Sequence, residues 1–158
     1  MAESLVFLIE PDAARRRSLL ALTGLLPGIA AEAFTTLAET RRAMRSAMPR
    51  LLIGPWSEGG ETLLAARASA AGNTAVKPVP QALILTGSVS PSFISMVRQA
   101  GNAELIPCDP LDEGALLNRI TLLLHGADAL YGTLDEGRQA ALDTALENLP
   151  ALKRRLVA

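Results

Sequence analysis

The stretch Leu5-Val-Phe-Leu-Ile9, followed directly by Glu10-Pro-Asp12, decides the fold. Five consecutive apolar residues indicate a strand that is buried on both faces, as in a parallel sheet. Asp12 is well suited to cap a helix, which we expect to run from about Ala13 to Leu26. The stretch therefore predicts a buried parallel strand that leads directly into a helix.

The same unit recurs along the chain. Further apolar strands are predicted at residues 29–34, 51–53, 82–85 and 103–106. A helix follows each of them, with predicted N-caps at Thr36, Ser90 and Asp112 and with the pair Gly59-Gly60 before the third helix. Five alternations of strand and helix predict an α/β fold, in which helices cover both faces of a parallel sheet.

Composition limits the classes of function. The 158 residues are 49% hydrophobic and carry a formal net charge of −1, which predicts a globular protein with no bulk attraction to nucleic acid or to a membrane. The single cysteine, Cys108, cannot form an internal disulfide, and the apolar run at residues 5–9 is too short for a signal peptide. We therefore expect a cytoplasmic protein.

Functional groups in such sheets collect beyond the carboxyl ends of the strands. The residues expected there are Glu10, Pro11, Asp12, Pro55, Trp56, Thr86, Asp109 and Pro110. Their order and spacing resemble those of bacterial response-regulator receiver domains, over about residues 4–125. The stretch 9–12 resembles the family's acidic cluster, 49–55 the strand that ends in the phosphoacceptor aspartate, and 83–86 the strand that ends in the switch hydroxyl.

This resemblance implies a flavodoxin-like, doubly wound sheet of five parallel strands in (βα)5 order, forming a domain at residues 1–125. It also implies a cis peptide bond before Pro110. The departures from the family pattern concern its chemistry. Pro55 occupies the phosphoacceptor position, Pro11 replaces the second acid that holds Mg²⁺, and Asp109 occupies the position of the lysine. Because Glu10 and Thr86 alone cannot support acyl-phosphate chemistry, we expect no aspartyl phosphorylation. The sequence offers no nucleophile–base pair and no nucleotide-binding glycine loop, so we also expect no enzymatic activity.

Three strand-end features allow two interpretations each. Glu10, Asp12 and Asp109 form either a divalent-cation site or a set of unrelated groups, with Asp12 as a cap and Glu10 solvated. The loop 86–88 either binds an anion or simply connects strand to helix. Trp56 either covers the emptied pocket and anchors a partner, or packs on a neighbouring loop. Glu58, three residues after Pro55, is a poor substitute phosphoacceptor, because Trp56 and the Gly59-Gly60 turn leave the direction of its side chain undefined.

Residues 126–158 exceed what a receiver domain needs, and we expect a helical extension there. A capping-box pattern at Thr133–Glu136 opens it. Leucines spaced as in a coiled-coil seam follow, and the interface candidates among them are Leu142, Leu149, Leu152 and Leu156. Such an apolar stripe must be buried on its own domain or on a second copy, and we favour a homodimer.

The sequence thus predicts a pseudo-receiver that acts by binding protein partners, with no cofactor and no bound metal. The alternative is a sensor that binds a small molecule or a metal ion in the pocket at the strand ends. An ordered ligand in that pocket would favour the sensor, and a pocket plugged by Pro55 and Trp56 would favour the interaction module.

Overall fold

The computed structural model of the protein describes residues 3–71, 79–87 and 89–126. The elements in chain order are β1 (Ser4–Ile9), α1 (Ala13–Thr23), β2 (Ile29–Phe34), α2 (Leu37–Ser46), β3 (Leu51–Pro55), β4 (Ser57–Glu58), β5 (Glu61–Thr62), α3 (Leu63–Ala71), β6 (Gln81–Thr86), α4 (Pro91–Gln99), β7 (Ala103–Pro107) and α5 (Glu113–His125). All five predicted strands and all five predicted helices are present.

Five of the strands form one sheet in the order β2-β1-β3-β6-β7, and every neighbouring pair is parallel. β1 lies inside the sheet, where Phe7 is paired with Glu32 of β2 on one side and with Leu52 of β3 on the other. The strand order reverses between β1 and β3, which makes their carboxyl ends the expected place for a functional site. The predicted α/β fold with a flavodoxin-like, five-stranded parallel sheet is confirmed.

The alternation of side chains along β1 divides the core into two layers. Val6 and Leu8 belong to the layer shared with α1 and α5, which contribute Leu19 and Ile120 among others. Phe7 and Ile9 belong to the opposite layer, which includes residues of α2, α3 and α4. Because both faces of β1 are buried, the whole run from residue 5 to residue 9 had to be apolar.

The predicted helix caps are confirmed, and they fix where each helix begins. The side chains of Asp12, Thr36, Ser90 and Asp112 each accept a hydrogen bond from the backbone N–H three residues later, at 2.9, 3.1, 3.2 and 3.0 Å. Each of these bonds satisfies one N–H of a first helical turn, which has no partner within the helix.

Two helices end earlier than predicted. α1 ends at Thr23 rather than near Leu26, because the chain tightens into turns in which the N–H groups of Leu25 and Leu26 bond to carbonyls only three residues back. The sequence predicts that the helix capped by Thr36 runs to about Met48, but α2 ends at Ser46. Met48 precedes Pro49, and proline disfavours the helical conformation of the residue before it.

The hairpin of β4 and β5 was not predicted from the sequence. Its strands have two residues each and pair antiparallel, with Ser57 opposite Thr62 and Glu58 opposite Glu61. Gly59 and Gly60 form the turn with φ angles of 58° and 79°, a conformation that glycine adopts with little strain. Strands this short leave no period-two pattern in the sequence, although the Gly-Gly pair is a turn signal.

The sheet lies in the first of two units into which the chain divides, Met1–Leu124. The predicted helical extension, with its capping box and its leucine seam at Leu142, Leu149, Leu152 and Leu156, lies outside the described residues and stays a prediction. Within the described ranges, no helix is long and apolar enough to cross a membrane.

Candidate functional site at the strand ends

The register of the sheet places three of the predicted site residues at the same edge. Leu8 is paired with Ile53. Glu10 lies two residues after Leu8, and Pro55 lies two residues after Ile53. Pro55 is in turn paired with Leu85, the neighbour of Thr86. Glu10, Pro55 and Thr86 therefore lie at adjacent carboxyl ends, as predicted from the strand order.

Glu10 is held by an arginine of α1. Its side chain is 14% exposed, and Oε1 lies 2.8 Å from Nε of Arg15. The same oxygen accepts a hydrogen bond of 3.3 Å from the N–H of Asp12. The interpretation of Glu10 as a merely solvated carboxylate is therefore wrong, because a cation and a backbone donor already engage it. Asp12 caps α1, as one of the two interpretations required.

Pro55 brings no carboxylate to the end of β3, and its neighbour Gly54 is packed tightly against β1. A Cβ atom on Gly54 would lie 3.1 Å from Cβ of Ile9, closer than nine in ten such contacts in proteins. β1 and β3 thus approach each other closely just before the site, and the chain at this point offers a ring nitrogen without a hydrogen and no nucleophile.

Trp56 packs on the opposite face of the sheet edge from Glu10. Its ring meets that of Phe93 in α4 edge to face, with centroids 4.9 Å apart and an interplanar angle of 75°. Trp56 packs against the core layer that includes α3 and α4, whereas Leu85, the partner of Pro55, packs against the layer of α1 and α5. Trp56 therefore packs within the domain, as one of the two interpretations held, but against α4 and not on a neighbouring loop. Because Trp56 and Pro55 lie on opposite faces of the sheet, they do not plug one pocket together.

Glu58 is turned toward α2. Its Oε1 accepts a hydrogen bond of 2.8 Å from the N–H of Leu37, the first residue of that helix. Glu61, on the other strand of the hairpin, forms an ion pair with Arg41 of α2. The hairpin thus fastens the segment after β3 to α2 by two carboxylates, and the carboxylate of Glu58 is engaged there instead of at Pro55.

Asp109 and Pro110 lie in an exposed turn after β7. The peptide bond between them is cis, as the family resemblance predicted. Cys108 and Leu111 face each other across this turn in an isolated antiparallel bridge, and the N–H of Cys108 donates to the carbonyl of Thr86 at 2.9 Å. Asp109 lies beside Gly87, since a Cβ atom on that glycine would be 3.8 Å from Cβ of Asp109.

The predicted alternatives of a metal site and an anion site gain no support. Among the residues that the structure describes, no group of three or more His, Cys, Asp or Glu side chains is placed to hold a metal ion. In the loop after β6, Ser90 serves as the cap of α4. Ser88, the third member of the predicted anion loop, lies outside the described residues.

A cavity of about 330 Å³ opens beside the strand ends, between α1 and the start of α5. We call it the α1–α5 cavity. Its apolar lining consists of Leu19, Leu22, Pro55, Leu85 and Leu111, and its polar lining of Glu10, Arg15, Ser18, Cys108 and Glu113. Sequence reasoning missed it, because leucines at helical spacing predict only core packing.

The thiol of Cys108 reports the environment of this cavity. Burial raises its pKa, and the negative charges of Asp109 and Glu10 raise it further, whereas the charge of Arg15 acts in the opposite direction. The thiol is therefore protonated at neutral pH and lies in a partly desolvated, net negative environment.

Solved structures of response regulators and of their receiver domains are similar to this chain. A LuxR-family two-component response regulator from Aurantimonas sp. superimposes with a TM-score of 0.65 at 20% identity, over 79% of this chain and 87% of that one. The Vibrio cholerae chemotaxis protein CheY4 gives a TM-score of 0.64 at 17% identity, over 78% of this chain and 100% of that one. The chain has the receiver fold.

The receiver domain of Francisella response regulator 1452 is similar to the same extent, with a TM-score of 0.64 at 12% identity over 77% of this chain and 96% of that one. Neither family models nor curated protein sequences give a significant match. These structures therefore show the fold alone, and the chemistry of this chain must be judged from the residues at the strand ends.

Proposed function

We propose that the chain is a pseudo-receiver, a cytoplasmic signalling module that has the receiver fold and acts by protein contacts without aspartyl phosphorylation. The observation that supports this proposal is Pro55. It ends β3, the strand that ends in the phosphoacceptor in the family the chain resembles, and it is paired with Leu85 at the edge where Glu10 also lies.

The chemistry of an acyl phosphate explains why Pro55 matters. A carboxylate must attack the phosphoryl group, and Mg²⁺ must be held beside it to neutralise the charge. Proline has no nucleophile, and Glu10 is already paired with Arg15. Asp109 would repel a bound phosphoryl group where a lysine would attract it. These substitutions also support the proposal that the chain is not an enzyme.

The sensor alternative is favoured by one observation, the α1–α5 cavity beside the strand ends. Its metal-binding form has no supporting group of ligands among the described residues. Its small-molecule form is compatible with a pseudo-receiver, because a ligand could regulate protein contacts in place of a phosphoryl group.

Partner binding provides the test of the interaction role. The tagged chain, used as bait in an extract of its native cell, should retain a protein partner to the same extent with and without beryllofluoride and Mg²⁺. Beryllofluoride mimics a phosphoryl group only on an available aspartate, so it should have no effect here. A partner whose retention changes severalfold on addition of beryllofluoride would contradict the proposal, as would repeated failure to retain any protein in crosslinked extracts.

A further inference from the structure

We propose that the α1–α5 cavity binds a small amphipathic molecule with an apolar body and a cationic headgroup. This inference goes beyond the proposed protein-binding function, and it does not depend on whether the chain can be phosphorylated. It follows from the size of the cavity, the nature of its lining and the charges at its rim.

The size of the cavity suits a small organic ligand. Its volume of about 330 Å³ is at the lower end of the range of about 300–1,000 Å³ that is typical of small-molecule sites. A water molecule occupies about 30 Å³ in the liquid, so the space equals that of about eleven waters. A bicyclic aromatic ring with a short side chain fits within this volume.

The lining favours an apolar body. Leu19 and Leu22 of α1 form one wall, and Leu85 and Leu111 contribute from the strand ends and from the turn before α5. Although half of the lining residues are polar, apolar atoms make up most of the cavity surface, which is the usual composition of sites that hold small organic molecules. Because water gains little from contact with such a surface, an apolar ligand that displaces it binds favourably.

The charges at the rim favour a cationic headgroup. Two carboxylates, Glu10 and Glu113, line the cavity together with one guanidinium, that of Arg15. The side chain of Arg15 is 76% exposed, and its charge is already shared by Glu10 at 2.8 Å and Asp12 at 3.8 Å. Glu113 makes no ion pair with any described residue, which leaves it able to receive a cation.

The pKa of the Cys108 thiol, which lines another side of the cavity, also indicates that the cavity favours a cation over an anion. Among the charges that act on it, those of Asp109 and Glu10 favour its protonated form, and only Arg15 opposes them. An anionic ligand would therefore meet net repulsion, whereas an ammonium group would be attracted to the carboxylates.

Alkylation of Cys108 provides a direct measure of occupancy, since the chain has a single cysteine and that cysteine lines the cavity. Tryptamine serves as the probe, and indole-3-propionate as a probe with the same ring and the opposite charge. With N-ethylmaleimide at pH 8, saturating tryptamine should slow alkylation about tenfold or more, and indole-3-propionate should bind at least about tenfold more weakly, a difference of about 1.4 kcal/mol.

Matched variants distinguish binding in the cavity from binding elsewhere. Ser18 lines the cavity and is exposed on α1, so Ser18→Phe should fill the space and abolish protection with little effect on folding. Ser46→Phe, at the exposed end of α2, adds the same ring away from the cavity and should leave protection unchanged. Glu113→Gln should weaken the binding of tryptamine by about fivefold, as expected for the loss of one exposed charge partner.

Three results would overturn the inference. Absence of protection by tryptamine at millimolar concentration would show that the cavity does not bind the proposed class. Equal or stronger protection by indole-3-propionate would refute the cationic headgroup. Protection that survives in Ser18→Phe would place the probe outside the cavity. None of these results bears on phosphorylation or on retention of a protein partner, so failure here is distinguishable from failure of the proposed function.

Discussion

Replacement of Arg67 by methionine should lower the free energy of unfolding by about 2–4 kcal/mol. Arg67 of α3 is only 5% exposed and has no acidic partner among the described residues. Its guanidinium instead donates to the carbonyls of Pro80, Asn102 and Gly101, at 3.1, 2.8 and 2.9 Å. One side chain thereby joins α3 to the segments that lead into β6 and β7.

The expected loss of stability follows from the hydrogen bonds that methionine cannot make. Burial lowers the pKa of Arg67, so the three carbonyls must offset the cost of desolvating its charge. Methionine fills similar space but removes this donor from the carbonyls of Pro80 and Gly101, at a cost of about 1–3 kcal/mol for a buried one and less for one that reaches water. The carbonyl of Asn102 still accepts a hydrogen bond of 2.9 Å from the N–H of Ala82.

Urea denaturation followed by circular dichroism measures this loss, and an exposed arginine supplies the control. Arg42→Met on α2 should change the stability by less than about 0.5 kcal/mol, because Arg42 makes no described side-chain contact of this kind. If Arg67→Met and Arg42→Met had equal stabilities, the contact of Arg67 with the three carbonyls would contribute nothing to the free energy of unfolding. Arg67→Lys should fall between them, since an ammonium group cannot reach all three carbonyls as the planar guanidinium does.

The double substitution Leu149→Glu and Leu152→Glu should convert the homodimer predicted from the leucine seam into monomers. Each buried leucine contributes about 1.5–3 kcal/mol, and a two-fold interface loses two leucines from each copy, or roughly 6–12 kcal/mol in all. The introduced carboxylates add a desolvation penalty. Multi-angle light scattering at several protein concentrations measures the change in mass.

A matched variant tests whether the position of the new charges, and not only their number, causes dissociation. Thr144→Glu with Ala151→Glu adds the same two charges outside the predicted leucine seam and should remain dimeric. If the seam packs on its own domain instead, the leucine variant stays monomeric like the wild type and melts at a lower temperature. A wild-type protein that is monomeric at high concentration would refute the homodimer.

Local signals in the sequence were sufficient for most of the fold. A cap such as Asp12 or Ser90 acts within three residues, and a strand such as β1 is recognisable because both of its faces are buried. The helix ends were less accurate, because the tight turn after Thr23 depends on how the chain enters β2. The sheet order followed from the alternation of elements and from the family resemblance together.

Apart from the short β4–β5 hairpin, whose paired residues are at most five positions apart, the features that were missed depend on contacts between distant residues. The side chain of Glu58 bonds to a helix that begins 21 residues earlier in the chain. Arg67 bonds to carbonyls as many as 35 residues away. The α1–α5 cavity is a property of the space between elements, which no local pattern encodes. The chemistry at the strand ends was easier to predict from the sequence than these contacts. Once the strand that contains Pro55 is placed, that single position shows that a carboxylate is absent.

The measurement that tests the central claim most directly is the intact mass of the protein after incubation with acetyl phosphate and Mg²⁺. A receiver domain that has its aspartate, treated in parallel, confirms that the reagent is active. The proposed absence of a phosphoacceptor predicts that the mass of this chain stays unchanged. A gain of one phosphoryl group that is lost in acid would show an acyl phosphate, and it would contradict the assignment of the chain as a pseudo-receiver.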